Sequence, residues 1–186
     1  MPTALASPGA RLRRSWAQLS GLPGGKWLFS RILGFTNPYS GAVGARVVAL
    51  EPGYARLELR ERHAIHNHLN SVHAIALANV AEMASGLAML AALPDTARGI
   101  VTNISIAYLK KARGLLTAEC RCVLPDVTIN GTHEFTSSVK DAAGDEVARA
   151  TVRWKLGPVP PGSGSREPGV VPSARPEGPT PDSRLP

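Results

Sequence analysis

Cysteine is scarce in this chain: Cys120 and Cys122 are the only two in 186 residues. Two thiols cannot staple a protein of this size in the way disulfides staple small secreted domains. No segment has the charged, apolar and small-residue order of a secretory signal. A cytoplasmic, thiol-reduced protein is therefore expected. The two cysteines stand two apart in a predicted strand, so they point the same way, which is poor geometry for a mutual bridge and reads as buried thiols. Aromatic residues are also few, at 5%, and the three Trp form no cage or stacking pattern. Acidic residues are missing from the first fifty positions, where Glu51 is preceded by Arg11, Arg13, Arg14, Lys26, Arg31 and Arg46. The net charge of +7 is thus a basic leader on a nearly neutral chain. A charge excess without a reading element, and without aromatics interleaved in a basic stripe, gives no nucleic-acid partner. Glycine-rich phosphate loops, Walker sequences and a G-x-S-x-G elbow are absent as well.

What is present is enough apolar residue, 44%, for one packed domain. Residues 157–186 are dense in Pro and Gly with almost nothing to bury, and are expected to be a disordered tail. Residues 1–36 form the basic leader, in which Trp27, Leu28, Ile32, Leu33 and Phe35 with Lys26 and Arg31 make a short amphipathic helix. That helix either packs on the domain or makes a weak membrane-surface contact. The domain proper, residues 37–156, follows Asn37-Pro38, a dipeptide that biases the chain toward a turn.

Within it, residues 44–50 and 54–60 read as strands split by Glu51-Pro52-Gly53, and in the second Ala55, Leu57 and Leu59 alternate with charged residues. Residues 70–93 form the one long helix. Four more strands are expected over residues 100–109, 115–123, 132–139 and 146–154, separated by glycine and aspartate turns. The order β-β-α-β-β-β-β with hairpin-length links predicts an α+β fold, an antiparallel sheet packed on one helix.

The helix carries one formal charge between His63 and Pro94, at Glu82. A helix apolar all round is a buried helix, and its polar residues and lack of flanking basic anchors argue against a membrane span. A carboxylate there must find donors or be held neutral. At 100° per residue Ile75, Asn79, Glu82 and Gly86 share one stripe, placing an amide and a glycine beside Glu82, where a substrate can approach. Glu82 is either a catalytic group or a buried structural one.

The run N-H-L-N-S-V-H-A-I-A-L-A-N-V-A-E (Asn67 to Glu82), followed by N-I-S-I-A-Y-L-K-K-A-R-G (Asn103 to Gly114), resembles the hotdog-fold thioesterase superfamily, in particular its phenylacetate-pathway type and a related bacterial branch. In those enzymes an Asn, a His six residues later and an acid nine residues after the His lead into a central helix, and Asn67, His73 and Glu82 keep this spacing. The resemblance covers Asn37 to about Lys155. It implies a sheet wrapped around the helix and hydrolysis of an acyl-CoA thioester, without a cofactor, at the interface of a homodimer or dimer of dimers. Glu82 would be the general base that activates water or else a nucleophile, the backbone N–H of Ala74 the oxyanion hole, His73 the holder of that turn or of the thiolate side, and Asn67 the group that positions the water or the carboxylate. Asn79, Gly86 and Thr102 would line the substrate site, and Lys110, Lys111 and Arg113 would meet CoA phosphates or remain a solvated strand end.

Two features depart from the pattern. A glycine pair after the His is Ala74-Ile75 here, and a serine that some relatives contribute from the partner subunit falls at Val101, next to Thr102. The glycine replacement favours a second reading, a noncatalytic acyl-CoA or lipid-binding hotdog protein. His63, His66, His68 and His73 are dense, but the cysteines are far away and the resemblance already uses His73, so no metal is expected.

Overall fold

A computed structural model describes residues 7–160. The expected tail lies outside the described residues from position 161 onward, as do the first six positions of the leader. The order of elements is α1 (Pro8–Leu19), α2 (Gly25–Thr36), α3 (Pro38–Val43), β1 (Arg46–Glu51), β2 (Tyr54–Arg60), α4 (Ala74–Ala92), β3 (Ala97–Tyr108), β4 (Leu115–Arg121), β5 (Gly131–Lys140) and β6 (Glu146–Pro158). The six strands form one antiparallel sheet in the order β1-β2-β4-β5-β6-β3. The expected α+β architecture, a hotdog sheet around a central helix, is the one observed.

The alternation in β2 sends Ala55, Leu57 and Leu59 to the helix side, where each is at most 1% exposed. They meet α4, whose Val80, Ala81, Ala84, Ala88 and Met89 are fully buried. Small side chains on this helix let the sheet approach closely, which is what a dense core requires. By length and composition α4 is apolar enough to cross a membrane, yet 61% of its most apolar window is buried inside this fold.

The helix begins four residues later than its composition suggests. Asn70 takes φ 51°, a left-handed conformation that no helix tolerates. His73 is therefore the N-cap, its ring Nδ1 accepting from Ile75 N at 3.1 Å. Asn37-Pro38 also behaves differently from expectation: Pro38 opens α3, because a proline at the first helical position lacks an N–H that would have been unbonded anyway.

The first two helices lie against the sheet and α4. Phe29 of α2 is 2% exposed and meets the Trp16 ring edge-on at 5.0 Å. Arg13 of α1 donates to Leu93 O at 3.0 Å, just past the end of α4, and pairs with Asp95. More consequentially, α2 covers one edge of the sheet. Val47 N–H donates to Ser30 Oγ at 2.9 Å and Lys26 Nζ donates to Val48 O at 2.7 Å, so side chains occupy the unpaired groups of β1. The other edge, β3, is twelve residues long, is paired among the described residues only with β6, and exposes Ile100, Ile104 and Tyr108.

Candidate functional site

Two groups of residues lie at different levels of α4. At its N-terminal end, the loop before the helix is pinned from three directions. Val72 N donates to Ala112 O at 2.9 Å, His73 N to Ile65 O at 2.8 Å, and Asn67 Oδ1 accepts from Leu69 N, Ser71 N and Ser71 Oγ at 2.9, 3.3 and 3.2 Å. Asn67 thus shapes the turn that delivers His73 to the cap. Replacing Asn67 by Ala strips an acceptor from three donors and should lower stability by about 1–2 kcal/mol; the denaturant midpoint measures it, and Asn67→Asp, which keeps the acceptor, should recover most of the loss.

The first turn of α4 presents backbone N–H groups with no intrahelical acceptor. The ring of His73 takes that of Ile75, and Ala74 N–H makes no hydrogen bond among the described residues. The carbonyl of Ala74 accepts from Tyr108 Oη at 3.0 Å, so the end of β3 holds this peptide in place. Burial pushes the Tyr108 hydroxyl above its ordinary pKa, which keeps it a donor. This contact of Tyr108 is not foreseen by the sequence, although Tyr108 stands inside the run Asn103 to Gly114.

The bond from Val72 to Ala112 also brings the basic run alongside this helix end. Lys111 and Arg113 flank Ala112, are exposed, and make no ion pair among the described residues. Lys110 differs: its ammonium bridges Asp141 at 2.8 Å and Asp145 at 2.7 Å in the turn between β5 and β6. These contacts hold the Lys110 ammonium well above and the Asp141 carboxyl below their ordinary values. The Lys110 charge is already offset within the chain.

Two turns further along α4 stands Glu82, half-buried, with no side-chain hydrogen bond or ion pair among the described residues. Burial alone raises its carboxyl above the ordinary glutamate range. The turn beneath it is braced from β6: Trp154 Nε1 donates to Ser85 Oγ at 3.3 Å and Ser85 Oγ donates to Glu82 O at 2.9 Å. Gly86 lets the Trp154 indole lie close, since a Cβ at Gly86 would lie 3.2 Å from that ring and 3.7 Å from Glu82 Oε1. Trp154 is opposite Val101 on β3, at a bulge between Val101 and Asn103 where Thr102 donates to Arg153 O at 3.1 Å. Asn79 reaches the other way, its Nδ2 donating to Ser40 Oγ of α3 at 3.2 Å while its buried Oδ1 has no hydrogen-bond partner among the described residues.

The structure therefore brings Asn67, His73, Ala74, Lys111 and Arg113 together at the N-terminal end of α4, and Glu82, Gly86 and Trp154 together lower down. Eight residues separate Ala74 from Glu82, about 12 Å along the axis. Among the described residues no three His, Cys, Asp or Glu side chains converge as a metal site requires. His63 and His66 meet only edge-on, with ring centroids 6.0 Å apart.

The family described as Domain of unknown function (DUF4442) matches residues 25–156. Among solved structures the chain is similar to a structural-genomics protein, at 27% identity and TM-score 0.72, covering 81% of this chain and all of that one, 100%. It is also similar to a protein of unknown function from Pseudomonas aeruginosa described as a probable thioesterase, at 22% identity and TM-score 0.65, covering 74% and 97%. A third is a Streptococcus mutans protein bound to acetyl CoA, at 23% identity and TM-score 0.54, covering 62% and 90%. No curated protein matches. Together with the strand order, these likenesses show the hotdog fold.

Proposed function

This chain belongs to the DUF4442 family, and from its hotdog fold, shared with a probable thioesterase, and the geometry of α4 we propose that it is an acyl-CoA thioesterase, working as a homodimer with Glu82 as general base. The observation that carries the reading is Glu82 itself, the only charged side chain of the helix, half-buried, unpartnered and with its carboxyl raised by burial. A structural glutamate in such a place is expected to hold donors. A base that must take a proton near neutrality gains from the raised value.

In the proposed step, Glu82 takes a proton from water as the water oxygen attacks the thioester carbonyl carbon. The carbonyl oxygen gains charge and is met by Ala74 N–H at the positive end of a helix. Collapse breaks the C–S bond, and the proton held on Glu82 passes to the leaving CoA thiolate, giving a free carboxylic acid and a thiol. The two groups are about 12 Å apart along one helix, too far to act on one carbonyl, so Glu82 of one protomer works with Ala74 of the other. His73 and Asn67 hold the turn that aims Ala74. Thr102, at the β3 bulge, and Gly86 border the acyl group, and Lys111 and Arg113 take the CoA phosphates. The Streptococcus mutans protein bound to acetyl CoA supports this choice of ligand.

The open β3 edge supports the pairing. An uncovered apolar edge strand is a template for another strand, and the opposite edge of the sheet is already covered by α2. Ile104 is 42% exposed on β3. Replacing Ile104 by Asp should convert the dimer to a monomer by light scattering and abolish thioester hydrolysis with it; a wild-type monomer would remove the dimeric site from the proposal.

The test of the activity is release of free CoA thiol from short, long and aryl acyl-CoAs by the purified protein. One observation favours the noncatalytic reading: Ile75, 54% exposed, stands where relatives of the resembled type carry the second glycine, and its side chain narrows the approach to Ala74. Silence across the panel from a folded dimer that still binds acyl-CoA would establish that reading.

A further inference from the structure

A cleft of about 660 Å³ opens beneath α2, between that helix, α3, the start of β1 and Arg62. It is within the size range of small-molecule sites. Its walls are of two kinds. Trp27, Phe35 and Met83 supply apolar surface, and Arg31, Arg46 and Arg62 supply three guanidinium groups. Among the described residues no Asp or Glu lines it.

The three arginines are not equally committed. Arg46 is paired with Glu58. Arg62 donates through Nη2 alone to Ala42 O and Val43 O, which leaves its other donors unassigned. Arg31 makes no hydrogen bond or ion pair among the described residues, and its guanidinium is held 6.0 Å from the Trp27 ring and 5.4 Å from the Phe35 ring. Both rings are largely exposed, 59% and 75%. A cation lying between two exposed aromatic rings, above a hollow that has both polar and apolar walls and no carboxylate among the described residues, is complementary to a molecule with an anionic head and a hydrocarbon body. The close approach that shapes the hollow is built in, because a Cβ on Gly41 would lie 2.5 Å from Gly34 O.

We propose that this cleft binds a single-chain amphiphile with an anionic head, a carboxylate or phosphate, at Arg31 and Arg62. This site does not use Glu82 or the β3 edge and stands independently of the thioesterase reading. Met83 puts its floor on α4 one residue from Glu82, while Asn79 ties the same helix to Ser40 in the cleft wall.

The test is calorimetric titration of the full chain with decanoate, decyl phosphate, decanol and inorganic phosphate. The expected result is saturable binding of both anionic amphiphiles, with decanol and inorganic phosphate each at least about tenfold weaker, since both the charge-assisted contacts and the apolar burial are needed. The tighter of decanoate and decyl phosphate identifies the head group. Arg31→Gln, an exposed change that leaves the fold alone, should weaken both about tenfold while leaving thiol release from acyl-CoA unchanged. Decanol binding as tightly as decanoate, inorganic phosphate matching decyl phosphate, or an Arg31→Gln protein that binds as well as wild type would overturn the proposal. So would failure of every single-chain probe with Arg31-dependent sedimentation on anionic vesicles, which would make α2 a lipid-surface contact instead. Binding is read directly, so silence in the thiol-release assay leaves this result intact.

Discussion

Replacing Glu82 by Gln is expected to lower turnover of the best acyl-CoA by about 10²–10⁴-fold, the usual contribution of a positioned general base. The amide keeps the shape of the side chain, so acyl-CoA binding should change little, and the loss belongs in kcat. An unchanged kcat would remove Glu82 from the mechanism. The pH dependence follows from the same burial. Because the carboxyl titrates above the ordinary glutamate range, the ionised base, and with it kcat/KM, should be lost on the acid side at a pH above that of an exposed glutamate. The sign for stability is opposite. The folded state holds the Glu82 proton more tightly than the unfolded chain, so stability falls as pH rises from the ordinary glutamate value through the raised one. The Glu82→Gln protein should then be more stable than wild type at neutral pH, and the difference should vanish below the ordinary glutamate value. Thermal unfolding of the two proteins across pH measures this without reference to activity.

The second large effect is in the core. Leu57 is 0% exposed, on the face of β2 that meets α4. Truncation to Ala removes buried methylenes and leaves a cavity, at a cost of about 2–5 kcal/mol, a large share of the roughly 5–15 kcal/mol that holds a domain together. Arg56, the next residue on the same strand, faces outward beside Glu119 at 3.9 Å. An exposed pair of this kind contributes at most about 1 kcal/mol, so Arg56→Ala should be nearly silent. Denaturant midpoints of the two variants test the inside-outside alternation. A Leu57→Ala loss no larger than that of Arg56→Ala would contradict the packing described.

The contrast between neighbours on β2 also shows why much of this fold is legible before any coordinates. A strand alternates with period two and a buried helix shows no polar face, so the order of elements, the inward set on β2 and the isolation of Glu82 are local properties of the chain. Boundaries are less local. Residues 70–73 have the composition of the helix, but Asn67 draws Leu69 and Ser71 into a turn that leaves Asn70 left-handed, and α4 starts at Ala74.

Pairings between distant residues could not be read at all. Lys110 looked like a free cation of a strand end, yet Asp141 and Asp145 reach it from across the next hairpin. Trp154 showed no pattern with the other tryptophans, yet its indole braces the turn of Glu82 through Ser85. No spacing rule connects these positions, because each contact depends on strand register and on which face of the sheet the helix covers.

By itself the sequence determined the α+β order, the buried helix with its single carboxylate, and the Asn67, His73 and Glu82 spacing that resembles hotdog thioesterases. Each is set within one element or across a few turns, where geometry is fixed by backbone periods. Tertiary structure alone decided that Asp141 and Asp145 reach Lys110, that α2 covers the β1 edge while β3 has no second strand beside it among the described residues, and that Arg31 lines a cleft without Asp or Glu among the described residues. Those facts depend on how elements pack, and packing is selected by the whole core rather than by any one segment.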